Sequence, residues 1–460
     1  MLGGPNSGPT PPQACIRLPQ TTVTHQFFRF VVQLARQARK PFGGHSGITS
    51  LESPITNYPP PMHIGVIAPP ESFHTQKWVS GLRAAGADVT TFSFTPGQVP
   101  GVTAVQVVPR FTRGGKLSYL SYLCSGDRLR TALRAHRVDL VTPLNVTPFG
   151  VWAWRAGVHP LVSIAMGADV LEYPPQATTA VNHLRRWESD GQEPEGIKAL
   201  MQRAKWHAFR HLVRRTLHRS ALITGDNLQL VHAVRDWFEV PAERVQLNRW
   251  GIEPELFQPD PAIQAQLRQR LNLRPGQPLV LSPRGVKPVY QADVVLDAAE
   301  QLIAEEQLSF KLVVMGTGYD APAHLDRQAR RLKRQSPHFH YQTELLPREW
   351  MPQLWLMTDA FINIPAYDGF SNALNEGRYA GAIPLVNDIP AHREVLQPDG
   401  HARFINPLTP ATLAQALLDL LPQLSFLKAH FAQSNRQWVE QNAVLALNMQ
   451  RLVRAMESLA

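Results

Sequence analysis

Residues 364–387, Ile-Pro-Ala-Tyr-Asp-Gly-Phe-Ser-Asn-Ala-Leu-Asn-Glu-Gly-Arg-Tyr-Ala-Gly-Ala-Ile-Pro-Leu-Val-Asn, hold the densest grouping of side chains able to do chemistry. An apolar run ends at Ile364, Asp368 and Gly369 occupy the turn after it, and a helix is expected from Ser371, whose hydroxyl suits a cap. The first amides of such a helix, beside a glycine that permits close approach, make an anion site. Asp368 and Glu376 can accept hydrogen bonds from sugar hydroxyls flanking that anion. The acidic spacing alone selects nothing, because 36 acidic residues among 460 give roughly three such pairs by chance. The information lies in the order of strand, turn and helix, followed by Gly381-Ala-Ile-Pro384 running into the next strand.

Four further groups stand at the ends of apolar runs. Arg284 follows Leu281-Ser-Pro, with Lys287 and Pro288-Val-Tyr290 behind it. Gly316-Thr-Gly318 follows Val314-Met315; with Ala at position 321 and no acid at the distance a dinucleotide fold needs, it reads as a strand-to-helix turn. Ser72-Phe-His74-Thr75-Gln-Lys77-Trp78 follows the first strong strand, where His74 suits either acceptor contact or an ordinary surface role. Asp169, in Gly167-Ala-Asp, equally suits a turn cap.

In this order the groups resemble the GT-B retaining glycosyltransferases of the family 4 type (glycosyl transferases group 1). The signature of that family's nucleotide-sugar domain is an acid, Gly-Phe, a Glu eight positions after the acid, then a small-residue turn and Pro-Val. Gly369, Phe370, Asn372, Glu376 and Gly381-Ala382-Ile383-Pro384 match it, while Asp368 stands where Glu is commoner and Leu385 where Val is commoner. Trp250-Gly-Ile-Glu253 with Phe257-Gln-Pro259 is similar to the family's interdomain linker, and the resemblance extends over most of residues 62–455.

The resemblance implies donor contacts at Arg284, Lys287, Gly316, Asp368, Gly369, Phe370, Ser371, Asn372 and Glu376. In it, Glu376 holds the donor ribose and the amides of Phe370–Asn372 the sugar or its phosphate. Arg284 clamps the diphosphate, and Asp368 meets the donor sugar; these two form the expected catalytic pair. His74, Thr75 and Asp169 are the expected acceptor contacts. It implies a hexosyltransferase-type enzyme (EC 2.4) moving a sugar from a nucleoside-diphosphate sugar to a hydroxyl acceptor, with no protein nucleophile, cofactor or metal. Two departures are visible: Tyr290-Gln291 where a diphosphate Lys is usual, leaving Lys287 as the nearby cation, and Met166 where many members carry His. The rival within enzymes is another GT-B activity such as a nucleotide-sugar epimerase, which the Asp368…Glu376 stretch argues against. The rival of another class is a non-catalytic relative that binds sugar nucleotide or serves as a scaffold.

These groups need rigid elements to position them. Apolar strands are expected at Ile64–Ala68, Asp88–Phe94, Val105–Val108, Leu140–Thr142, Leu161–Ala165, Leu222–Thr224 and Val245–Leu247. A second series runs Leu279–Ser282, Lys311–Met315, Phe339–Gln342, Ala360–Ile364 and Ile383–Asn387. Continuous apolar strands alternating with helices such as Gln76–Ala85 and Arg203–His218 indicate parallel sheets covered on both faces. The fold class is α/β, two doubly wound Rossmann-like domains facing across a cleft. The expected units are an N-terminal extension over 1–61, an acceptor-binding domain over 62–250 and a nucleotide-sugar domain over 251–435. A C-terminal helix over 436–460, around Trp438 to Met449, is expected to cross back to the first domain. Residues 1–61 open on Gly-Gly-Pro-Asn-Ser-Gly-Pro and close on Tyr58-Pro-Pro-Pro61, so the compact protein is expected to start at Met62.

Composition bounds the rest. Hydrophobic residues at 44% and charged residues at 18% exclude wholesale disorder. Two cysteines, Cys15 and Cys124, exclude a disulfide framework and suit a reducing compartment. No apolar run has bilayer-spanning length, and the expected location is cytoplasmic, with peripheral contact on an inner membrane face. Residues 62–250 hold 22 Lys and Arg against 14 acids, whereas 251–460 hold 19 against 21, so the surplus of +10 belongs to the first half. Arg203, Lys205, Arg210, Arg214, Arg215 and Arg219 share one expected helix with Trp206 and Phe209. That basic face suits solvent or a membrane carrying lipid-linked acceptors, and nucleic acid is not expected because no recognition motif accompanies it.

Overall fold

The run His63-Ile-Gly-Val-Ile67 shows no polar alternation, and four of its five residues are buried. A strand of that kind needs cover on both faces, which parallel sheets with helical crossovers provide. The computed structural model describes residues 61–175, 196–316, 321–396 and 401–459. Seven strands lie in the first half: β1 (His63–Ile67), β2 (Asp88–Ser93), β3 (Thr103–Gln106), β4 (Leu140–Pro143), β5 (Val162–Ala165), β6 (Leu222–Gly225) and β7 (Val245–Leu247). They pair in parallel as β3-β2-β1-β4 and β5-β6-β7. Single parallel bridges, Val141 to Leu161 and Leu144 to Ile164, join the two pieces into one layer.

The second half forms one six-stranded parallel sheet of β8 (Leu279–Ser282), β9 (Lys311–Met315), β10 (Phe339–Gln342), β11 (Ala360–Asn363), β12 (Ile383–Asn387) and β13 (Arg403–Ile405). Its order is β10-β9-β8-β11-β12-β13. The chain reverses direction across the sheet between β8 and β11, and the crevice beyond the carboxyl ends of such a pair is where doubly wound sheets bind ligands. Arg284 follows β8 and Asp368 follows β11, so the switch point places both at that crevice. In the first half β1 and β4 flank the equivalent reversal, and His74 follows β1 at the start of α1 (Phe73–Ala84). The two domains are Rossmann-like.

Sequence patterning does not announce β13, three residues long with Arg403 exposed. The expected basic helix runs longer than its pattern, as α2 (Gly196–Arg219). Its Trp206 is buried with Nε1 donating to the Glu172 carbonyl at 3.1 Å, and Phe209 meets Tyr119 at 4.4 Å between ring centroids. Both aromatic rings therefore face protein rather than lipid. Arg210 donates to the Tyr173 and Trp237 carbonyls, and Arg214 pairs with Glu239, which leaves fewer free cations on this face than the sequence offers. Among the described residues no helix is long and apolar enough to cross a membrane.

A helix α3 (Asn372–Tyr379) follows the Asp368 turn, and the chain ends in α4 (Leu424–Asn442) and α5 (Leu445–Glu457). The single late helix expected from Trp438 to Met449 is broken: Trp438 lies in α4 and Met449 in α5. The break at Ala443–Val444 has a long-range cause. The Ile252 amide donates to the Ala443 carbonyl at 2.8 Å and the Leu445 amide donates to the Ile252 carbonyl at 2.9 Å, which takes those residues out of helix. The expected domain edge at 435/436 thus falls inside α4, and the segment lying on the first domain is α5. There α5 packs on α1 so closely that a methyl on Gly81 would sit 2.6 Å from Met449 Cγ. Asn448 Nδ2 donates to the Trp250 carbonyl at 2.9 Å, and the Trp250 ring tilts on Trp78 at 4.7 Å.

Gly251 holds this crossing together, with φ at +135° and space for no Cβ: one would lie 2.7 Å from both the Ala443 carbonyl oxygen and the Leu445 nitrogen. Gly251→Ala is expected to cost about 2–3 kcal/mol, from left-handed strain and backbone overlap together. Urea unfolding measures it, and an unchanged midpoint would contradict the account.

Candidate active site

Arg284 is the hub. Its Nη1 donates to Asp368 Oδ2 at 2.7 Å and to Ser371 Oγ at 2.9 Å, and Nη2 lies 3.4 Å from Asp368 Oδ1. The guanidinium also rests over the Tyr290 ring at 4.2 Å, because the short turn Pro288–Tyr290 after Lys287 folds that ring back. Burial opposes the charge, yet Asp368 and Tyr290 beside it hold Arg284 above its ordinary value, so it stays cationic. Ser371 caps α3 as its type suggests, its Oγ accepting from the Leu374 amide at 3.3 Å. Asp368 Oδ1 accepts from the Gly369 amide at 3.0 Å, which fixes the turn.

Glu376 lies on α3, where its Oε2 accepts from Trp355 Nε1 at 2.9 Å. Burial pushes its carboxyl above the usual range, and Lys77 of the opposite domain works against that shift. Asn372 opens α3 and keeps a buried Oδ1 with no partner among the described residues. Phe370 is buried, with Arg249 over its ring at 5.6 Å.

The first domain meets this turn directly. A Cβ on Gly369 would lie 2.8 and 3.0 Å from the two carboxylate oxygens of Asp226 and 3.2 Å from the Met166 carbonyl oxygen. Asn227 Nδ2 donates to the Asp368 carbonyl at 3.2 Å, and Tyr367 Oη donates to Glu172 Oε1 at 3.1 Å. Glu394 accepts from Arg249 at 2.6 Å and from the Leu228 amide at 2.7 Å. Burial, with Asp368, Asp169 and Glu394 nearby, pushes the Asp226 carboxyl up to about 7 against the pull of the Phe370 amide.

Residues 279–423 match the family model for glycosyl transferases group 1, and residues 63–193 match that for glycosyl transferase 4-like domains. The chain is a glycosyltransferase with the GT-B fold. Sucrose-phosphate synthase from Thermosynechococcus elongatus superimposes with a TM-score of 0.67 at 14% identity, covering 87% of this chain and all, 100%, of that one. The Anabaena protein HepE, solved with UDP and glucose, gives 0.63 at 16% identity over 86% of this chain and 100% of its own. WaaG, a glycosyltransferase involved in lipopolysaccharide biosynthesis, gives 0.62 at 17% identity over 85% and 99%. At such identities the likeness is one of fold. No curated protein sequence matches the chain significantly.

Within this glycosyltransferase the expected donor residues divide. Arg284, Asp368, Gly369, Phe370, Ser371, Asn372 and Glu376 belong to one turn-and-helix constellation. Gly316 has a packing reason of its own, since a Cβ there would lie 2.3 Å from the Tyr341 ring. Gly318 lies outside the described residues. The expected acceptor contacts do not hold together. Thr75 is 1% exposed on the inner face of α1, which leaves it no surface for an acceptor. Asp169 spends both oxygens on backbone, Oδ2 on the Val146 amide at 2.8 Å and Oδ1 on the Met166 amide at 3.0 Å. Burial pushes its carboxyl up to about 6 against those amides, and its work is to shape the loop facing Gly369.

His74 alone of the three is exposed, and its ring meets Trp250 edge-on at 5.6 Å. Although its ring keeps solvent contact, desolvation by the protein packed around it, then Lys77 and Arg284, lower its imidazole to about 4, so it is neutral at pH 7. Sequence reading missed Asp226, Asn227 and Lys77 as site residues. Position could have found the first two, since Gly225-Asp-Asn227 stands at the carboxyl end of β6 as Asp368 stands beyond β11. Among the described residues no cluster of three or more His, Cys, Asp or Glu is arranged to hold a metal ion.

Proposed function

We propose that the cleft binds a nucleoside-diphosphate sugar and transfers its sugar to a hydroxyl acceptor with retention of anomeric configuration and without a metal, in the synthesis of glycan, glycolipid or cell-envelope polysaccharide. The observation carrying this reading is the Arg284–Asp368–Ser371 network at the β8/β11 switch point, with Glu376 behind it on the same helix. A cation held charged in a buried crevice suits a diphosphate, and a partly buried carboxylate suits ribose hydroxyls. HepE, solved with UDP-glucose, shares the fold.

In this reading Arg284 binds the diphosphate and neutralises the charge that grows as it departs. Asp368 orients the donor sugar. The bond from the anomeric carbon to the diphosphate oxygen breaks while one to the acceptor oxygen forms on the same face. The acceptor's proton passes to the departing phosphate oxygen, so no protein nucleophile enters. His74, neutral and open to the cleft, is the acceptor contact that remains. Lipid-linked acceptors suit the first domain, where α2 exposes Ile197, Leu200 and Met201 ahead of Arg203 and Lys205.

Calorimetric titration with UDP, GDP and ADP tests the donor reading. One of them is expected to bind, and Glu376→Ala to weaken it about tenfold to a hundredfold, the worth of hydrogen bonds to a charged group. Unchanged affinity would remove Glu376 from the donor site, and NMR of the product's anomeric centre tests retention.

A further inference from the structure

We infer that Lys77 is a donor ligand supplied by the N-terminal domain, its ammonium meeting the diphosphate from the cleft wall opposite Arg284. The inference rests on the nucleotide-sugar reading above and adds a residue which that reading lacks.

Lys77 lies three residues after His74 on α1, so the two share a face of the helix. That face looks across at the second domain: His74 lies within electrostatic reach of Arg284, and Lys77 within reach of Glu376 and Glu253. Lys77 is 3% exposed, yet it has no hydrogen bond or ion pair among the described residues. An ammonium carries three donors; burial of the Lys77 side chain pushes its pKa down against the pull of Glu376 and Glu253, and an anion at its tip would favour the charged form. The two nearby carboxylates do not relieve it by contact. Glu253 is held by Arg348 at 2.8 Å, and Glu376 Oε2 is taken by Trp355 at 2.9 Å. They lend negative potential while leaving the ammonium's hydrogens unspent.

The arrangement makes sense once a nucleotide is placed. Ribose hydroxyls on Glu376 would occupy the carboxylate whose charge now balances Lys77. The next anion along that ligand is the phosphate bonded to the same ribose, within reach of a four-carbon side chain on the facing wall. Arg284 then holds one end of the diphosphate from the second domain, and Lys77 the other from the first. A donor would thereby bridge the domains and favour their closure.

The full chain and its Lys77→Met and Lys77→Gln variants are titrated with UDP and with uridine, or with the matching GDP and ADP pairs if the wild type prefers those. Loss of Lys77 is expected to weaken the diphosphate about tenfold to a hundredfold while leaving the nucleoside unchanged. Lys77→Arg should fall between. Methionine replaces an unpaired buried charge, so the melting temperature should hold, and glutamine repeats the comparison with a polar side chain. Equal weakening of nucleoside and diphosphate would mean that Lys77 acts only through Glu376, and would overturn the proposal. So would no weakening of either. If the wild type bound none of the three diphosphates, the donor reading itself would fall.

Discussion

Replacing Arg284 with methionine is expected to lower kcat/KM for sugar transfer by about a hundredfold to a thousandfold, the usual effect of deleting one preorganised donor aimed at developing charge. The size follows from what surrounds the guanidinium. It is anchored by Asp368, Ser371 and the Tyr290 ring together, so it need not reorganise when the nucleotide leaves. Its partner Asp368 is only 12% exposed in its side chain and would be left without its cation, so part of the loss could come from stability. Arg284→Lys separates the two. It keeps a charge for Asp368 but cannot offer two nitrogens in a fixed fork, and activity between wild type and methionine is expected. Steady-state donor consumption, with thermal melting alongside, measures both. A methionine variant that folds and keeps wild-type kcat/KM would remove Arg284 from the chemistry.

How much of this was legible in the sequence depends on range. The turn from Ile364 to Asn387 was readable because each of its signals is local: an apolar run, a serine one residue ahead of a helix, a glycine and proline before the next strand. Ser371 caps α3 through the Leu374 amide three residues on, and three residues is within what a sequence displays. Asp169 was not readable. Its type and place suggested a cleft residue, but one of its oxygens is claimed by Val146, 23 positions earlier. Thr75 and His74 are neighbours in sequence but differ by just over a quarter of a helical turn, which puts one in the core and the other in the cleft. Only the sheet beneath α1 decides which is which. The break between α4 and α5 likewise depends on Ile252, and the contact of Asn227 with Asp368 spans 141 residues. The proposed donor half of the site is one continuous segment plus Arg284, whereas the first domain's half is assembled from scattered loop ends.

That asymmetry sets the last expectation, Gly369→Ala. Gly369 sits where the donor turn meets the first domain, and an added methyl would lie 2.8 Å from an Asp226 oxygen and 3.2 Å from the Met166 carbonyl oxygen. Glu376, proposed to hold the nucleoside from the second domain, would keep its position, so uridine affinity should barely change, whereas UDP, which is proposed to bridge both domains, should bind more weakly. The approach of the two domains should suffer. Overpacking of this kind costs about 1–3 kcal/mol, and if closure precedes transfer, kcat falls about tenfold to a hundredfold. Asp226→Ser provides the check. It shortens the obstructing side chain, so in the Gly369→Ala background it should restore part of the loss, whereas in the wild type it removes a contact and should cost activity. Non-additivity of that sign is what a shared steric contact produces. If the two substitutions simply added, or if uridine binding fell in step with kcat, the methyl would be disturbing the nucleoside site itself, and Gly369 would belong to binding rather than to closure.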